Sequence, residues 1–134
     1  MQDKDRDLAQ YRYELAKETL ANAKMCIDNR FYRDAINRSY YAAFYAVRAV
    51  LAVESIDFKR HKDVMGYFNK TYVAAEIFPR ELGKRLGRIQ MMREDSDYND
   101  FFTASLEDAK KQFETAELTI SLIGEYLKLK EVLK

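Results

Sequence analysis

The stretch NRSYYAAFYAVRAVLAVES, residues 37–55, limits the fold more than any other part of the chain. On a helical wheel it has three sides. Ala42, Ala46, Ala49 and Val53 fall together, and small side chains there let a neighbouring helix come close. Tyr40, Phe44, Val47 and Leu51 form a second apolar side. Asn37, Arg38, Tyr41, Tyr45, Arg48 and Ser55 form a polar and aromatic stripe on the third. A surface helix needs one apolar face. Two such faces require neighbours on both, so this helix, about Tyr32 to Glu54, belongs at the centre of a bundle.

The rest of the chain agrees. Four glycines and one proline in 134 residues leave few breaks, so long helices are expected. A first helix is predicted from about Asp5 to Asp28, with Leu8, Tyr11, Leu15, Thr19, Ala23 and Cys26 on one face. DNRF separates it from the second. After the loop SIDFKR a shorter helix, about His61 to Tyr72, carries Val64, Phe68 and Tyr72. A fourth starts at Pro79, where a missing N–H costs nothing, and has Leu82, Leu86 and Ile89 as its core face before ending near EDSDYND. A fifth starts at Ser105, with Asp108 placed as in a capping box, and has Leu106, Phe113, Leu118, Leu122 and Tyr126 in its apolar set. No segment alternates like a strand. The expectation is all-α: one domain over residues 1–134, an up-and-down bundle of about five helices with the two long antiparallel ones at its centre.

Hydrophobic residues at 48% and charged residues at 34% fit a chain with a real core, not a disordered one. One cysteine, Cys26, cannot form a disulfide within the chain and fits a reducing, cytoplasmic setting. The charged start MQDKDRDL is unlike a signal peptide, and no apolar run reaches the ~20 residues of a membrane span. The net charge of +1 conceals a segregation: residues 59–93 hold nine cations and three acids, residues 94–134 five cations and ten acids. The basic segment could meet a polyanion or the chain's own acidic segment. No phosphate-binding or dinucleotide glycine motif, nucleophile elbow, H-E-x-x-H or paired cysteines occur. Neither a metal nor a cofactor is expected.

Three sets of residues remain as candidates. The stripe arginines Arg38 and Arg48 need partners, because an unpaired buried charge is costly. Acids of the first or fifth helix, a dimer interface or an anionic ligand would each serve. His61, the only histidine, lies among Lys59, Arg60 and Lys62, whose charges favour its neutral form. It is an acid–base candidate, or else a helix cap or a surface residue. Arg80, Lys84 and Arg88, four apart, make a ridge that suits phosphates or merely faces solvent, with Arg85 beside it.

The segments AINRSYYAAFYAVRAVLAVESIDFKRH and FPRELGKRLGRIQMMREDSDYND together resemble the HEPN domain superfamily. The likeness is to a prokaryotic branch with an Asn-Arg-x-Tyr-Tyr-Ala helix, one downstream histidine and an Arg-x-x-x-Asp-Tyr segment. Here these are Asn37, Arg38, Tyr40, Tyr41 and Ala42, then His61, then Arg93, Asp97 and Tyr98. The resemblance covers nearly the whole chain. It implies a helical bundle, often dimeric, that works beside a small nucleotidyltransferase, sometimes as a toxin–antitoxin pair. Many HEPN toxins are metal-independent ribonucleases whose signature is arginine, four to six residues, then histidine on one helix. That signature is absent: Val53–Ile56 holds no arginine, and Arg60 adjoins His61. The expected function is therefore a binding module, contacting a nucleotidyltransferase partner and nucleotide or RNA, with Asn37, Arg38, Tyr41, Arg48, His61, Arg93, Asp97 and Tyr98 as ligand candidates. The alternatives are an RNA endonuclease toxin using His61 with an arginine, and a purely structural homodimer. A homodimer with the first or second helix in the interface is expected in any case.

Overall fold

A computed structural model describes residues 1–134. Five α-helices follow one another: α1 (Asp3–Asp28), α2 (Tyr32–Val53), α3 (His61–Phe68), α4 (Arg80–Tyr98) and α5 (Leu106–Leu129). There is no strand. A π-helical turn, Asn69–Val73, prolongs α3, so the regular helix stops four residues short of the expected Tyr72. The inward face survives the change, since Val64, Phe68 and Tyr72 are all buried. Pro79 stands one residue before α4, extended at φ −62° and ψ 147°, not in its first turn. Ser105 and Asp108 form the expected reciprocal capping box.

α2 is the centre. It packs against α1, α3, α4 and α5, and thirteen of its twenty-two residues are buried. Both apolar sides read from the sequence are consumed inside the chain. The third side stays half-buried from Asn37 to Arg48 and becomes the site described below.

The inward face of α1 is rotated from the one expected, keeping Thr19 and Ala23 but not Leu8 and Tyr11. In α1 the buried line is Ala9, Ala16 and Ala23, with Arg12 and Thr19 between them. Leu8 and Tyr11 are 40% and 64% exposed. α1 packs along α2, which carries its own buried small residues Ala42, Ala46 and Ala49, all at 0% exposure; small side chains on both helices suit a close approach. In α5, Ala109, Ala116, Ile120, Ile123 and Leu127 are buried, Leu118, Leu122 and Tyr126 pack partly buried against the core, and Leu106 is 40% exposed. Gly124 of α5 is needed at a close approach to α1, because a methyl group there would collide with the Tyr13 hydroxyl.

The α1–α2 hairpin closes at Asn29 to Phe31. Arg30 takes the left-handed conformation, φ 64°, and the Phe31 N–H reaches back to the Cys26 carbonyl at 2.7 Å, a helix-ending bond of the kind glycine usually supplies. Arg33 then ties the start of α2 to the end of α4 by donating to the Ser96 carbonyl.

Candidate functional site

The half-buried stripe of α2 forms a chain of stacked rings and arginines with α4. The Arg93 guanidinium donates to the Tyr41 hydroxyl at 3.1 Å. It lies 4.7 Å from the Tyr40 ring centroid and 5.5 Å from that of Tyr41. Asp97, one turn on, pairs with it at 3.3 Å. Burial alone would lower the Arg93 pKa, but the Tyr41 bond and the facing charge of Asp97 raise it, so the cation is held firmly. From another side Arg38 sits over Tyr41 at 5.5 Å and donates to the neighbouring Asn37 side chain at 2.8 Å.

His61, the first residue of α3, joins this chain through its ring. Its centroid is 4.1 Å from Phe44, and it meets Tyr41 edge-on at 5.6 Å. Its Nδ1 lies 3.3 Å from the Tyr40 hydroxyl. Burial pushes the Tyr40 phenol up to about 12, against the pull of Arg93, so it stays protonated. Where Tyr40 donates to Nδ1, Nε2 carries the imidazole proton; in the other tautomer Nε2 is the free base. The His61 pKa is lowered, first by burial and then by the charges of Arg93 and Arg48.

Beside the imidazole opens a cleft of about 360 Å³, lined by Phe44, Arg48, Asp57, Phe58, Lys59 and His61. Asp57 is its anchor. It accepts from Arg48 at 2.8 Å and from Arg12 of α1 at 3.2 Å, and takes the Phe58 N–H at 2.9 Å. Burial raises the Asp57 pKa, but these donors and the two guanidinium charges outweigh it and hold the carboxyl below its ordinary range. Arg12 also donates to the Arg48 carbonyl at 3.2 Å. Its pKa is lowered by burial and by Arg48, with Asp57 opposing. Loop, α1 and α2 are thus pinned at one carboxylate.

The fold brings Asn37, Arg38, Tyr41, Arg48, His61, Arg93 and Asp97 into one continuous surface. Tyr98 is left out: it is 80% exposed at the end of α4. The ridge Arg80, Lys84 and Arg88 is exposed and in no ion pair. At about 100° per residue it lies some 140° or more around α4 from Arg93. The stripe arginines do not pair with acids of α1 or α5; Arg48 takes Asp57 from the α2–α3 loop. Sequence reasoning missed Arg12, Asp57, Phe58 and Lys59. One signal was present: Asp57 is the only acid between Glu54 and Asp63, so a buried Arg48 near the end of its helix had few nearby acids to reach. No group of acids, cysteines and histidine is placed to hold a metal ion, and no helix is long and apolar enough to cross a membrane.

A family model described as the HEPN domain matches residues 9–126. The chain belongs to the HEPN domain family. Among curated relatives, a UPF0332 protein of Thermotoga maritima is 32% identical over 87% of this chain and 88% of its own. Two proteins of Methanocaldococcus jannaschii bearing the name "Putative toxin" are 29% identical over 92% of this chain and 91% of theirs, and 26% identical over 90% and 82%. In this HEPN chain the histidine and its nearby arginines come from different elements: His61 from α3, Arg48 from α2 and Arg93 from α4.

Proposed function

We propose that this HEPN domain binds the nucleotide units of single-stranded RNA in the His61 cleft. The observation that supports the reading is the pairing of two kinds of surface in one groove. Phe58 and His61 offer ring surface above the buried Phe44, and Arg48 and Lys59 offer cations. The one carboxylate in the groove is already engaged by Arg48 and Arg12. Aromatic platforms beside cations are how sequence-tolerant single-strand sites work: bases stack and phosphates meet charge. The test is fluorescence anisotropy with a labelled single-stranded RNA. His61→Ala and Phe58→Ala should each weaken binding about tenfold, the scale of one lost stacking contact. Equal affinity in both variants, with helicity intact by circular dichroism, overturns the cleft assignment.

A second reading, a metal-independent RNA endonuclease of toxin type, is favoured by the lowered His61 pKa and by the names of the two archaeal relatives. Cleavage needs a group that moves a proton and a cation aimed at the developing charge. Here Arg48 is committed to Asp57, and Arg93 to Tyr41 and Asp97. The expected result is that the purified protein leaves single-stranded RNA intact in EDTA at neutral pH. Cleavage that vanishes in His61→Ala would replace the binding reading with the endonuclease one. Self-association and a nucleotidyltransferase partner complete the proposal; light scattering and co-purification with the transferase test them.

A further inference from the structure

A second cavity, of about 500 Å³, lies where the end of α2, the turn after α3, the start of α4 and the end of α5 meet. Its chemistry is opposite to that of the His61 cleft. Three rings form its wall: Tyr72 meets Tyr126 edge-on at 6.1 Å, Phe78 lies 5.3 Å from Tyr126, and Tyr72 lies 6.4 Å from Phe78. Two carboxylates, Glu54 and Glu125, share the lining. Neither is in an ion pair.

The Tyr72 hydroxyl gives the second, independent sign. Tyr72 is 2% exposed, yet its oxygen has no hydrogen-bond partner. Buried polar atoms are nearly always partnered by protein, water or ligand. Burial and the charge of Glu54 push the Tyr72 phenol well above its usual range; Glu54 is the acceptor that the hydroxyl faces, although no hydrogen bond of ordinary geometry joins them. Glu54 also terminates α2, and a helix C-terminus favours a positive charge. Lys130 belongs to the same lining, and its ammonium sits 5.6 Å over the Tyr126 ring, so the two carboxylates leave the cavity with one negative charge in excess.

We propose that this cavity binds a small organic ammonium, its alkyl body against the rings and its charged head among Glu54, Glu125 and the Tyr72 hydroxyl. Ring faces attract cations, a neutral phenol oxygen can accept an N–H, and a largely apolar pocket with a few convergent polar groups is the usual form of a small-ligand site. A phosphate-bearing ligand is disfavoured by the same two carboxylates. The site needs nothing from the His61 cleft and stands whether or not RNA binds there.

The test uses the whole chain and two probes of one shape, n-butylammonium and n-butanol, at matched ionic strength. The ring signals of Tyr72 and Tyr126 are followed by NMR. Saturable shifts with butylammonium and none with butanol are expected. The Glu54→Gln, Glu125→Gln double variant should bind butylammonium about tenfold more weakly, since bonds to charged groups are the stronger ones. Tyr72→Phe keeps the ring and removes the hydroxyl, and should also weaken binding. A third probe, N-acetyl-lysine methylamide, separates the sources: tighter binding than butylammonium indicates a lysine side chain of a polypeptide, equal or weaker binding a free amine. Butanol matching butylammonium, no saturable shift with either, or unchanged affinity in a folded double glutamine variant would each overturn the proposal.

Discussion

Two parts of this HEPN domain are rich in arginine, and they use it in opposite ways. In and beside the His61 cleft the guanidinium groups are held: Arg48 in its lining and Arg93 on the adjoining stripe have side chains only 27% and 14% exposed, each paired with an acid and lying against a ring. On the ridge, Arg80, Lys84 and Arg88 are exposed and unpaired. A charge count treats the two alike. Anchoring separates them. A held arginine shapes a surface and shifts its neighbours' pKa values, whereas a free one supplies mainly screened, long-range attraction.

The largest expected effect is on stability. Phe44 is 3% exposed and packs against the His61 ring, so Phe44→Ala should cost about 3–5 kcal/mol, as truncated core aromatics do. The ridge triple variant Arg80→Ala, Lys84→Ala, Arg88→Ala should stay within about 0.5 kcal/mol per substitution, because it touches nothing packed. Urea unfolding of both proteins decides. A ridge variant as damaged as Phe44→Ala would end the distinction between held and free cations.

A middling effect is expected at Asp57. Asp57→Ala leaves Arg12 and Arg48 facing each other with no counter-charge. Breaking a fully buried pair costs several kcal/mol, but the Asp57 side chain is 50% exposed, and solvent screening reduces the loss to about 1–2 kcal/mol. Arg48→Ala should recover part of it in the double variant, since the repulsion then disappears. Strict additivity across that double-mutant cycle would show that Asp57 is not a shared anchor.

Much of this was legible in the residues. The three-sided wheel of α2 placed Asn37, Arg38, Tyr41, Tyr45 and Arg48 on one half-buried side, because burial follows the helical period wherever a helix has neighbours on two sides; Ser55, read onto the same stripe, lies beyond the helix end and is exposed. Ser105 and Asp108 marked the start of α5 because a capping box is a local device. Pattern reading failed where packing distance decided the outcome. Leu8 and Tyr11 are bulky residues of the expected α1 face, yet the buried line is Ala9, Ala16 and Ala23, and nothing local to α1 announces how closely its partner approaches. The Arg12–Asp57–Arg48 anchor was hidden for a related reason. Arg12 lies 36 and 45 residues from Arg48 and Asp57 along the chain, and the acid stands in a loop, where no periodicity points.

The next effect is smaller and concerns salt. If RNA binds, the ridge should add its own share to the salt dependence, and stacking on His61 should supply a salt-independent part. Three single-strand phosphate contacts at about −0.7 each give a slope near −2 in log affinity against log salt. The ridge triple variant should lose that slope. His61→Ala should lower affinity about equally at every salt concentration. The comparison fails if the two variants exchange behaviours, and a ridge variant that binds unchanged makes the ridge a solvated face.

The smallest effect expected is a dependence of stability on pH that only the cleft can produce. His61 has a lowered pKa in the folded chain, by burial and by the Arg93 and Arg48 charges. The unfolded chain titrates the same group near 6.5. Between the two values the unfolded state binds more protons, so stability rises with pH there. His61 therefore costs no stability above about pH 6.5, and stability falls as pH drops from that point towards the folded pKa. Carboxylates such as Asp57, also lowered, begin to matter only further into acid. Melting temperatures from pH 7.5 to 5.5 should therefore decline in the wild type and decline less in His61→Phe, which keeps a ring against Phe44 and cannot be protonated. The ridge triple variant should follow the wild-type curve. Parallel curves for wild type and His61→Phe would mean that the cleft does not hold the imidazole neutral, and the held arginines would lose the one electrostatic consequence that distinguishes them from the free ones.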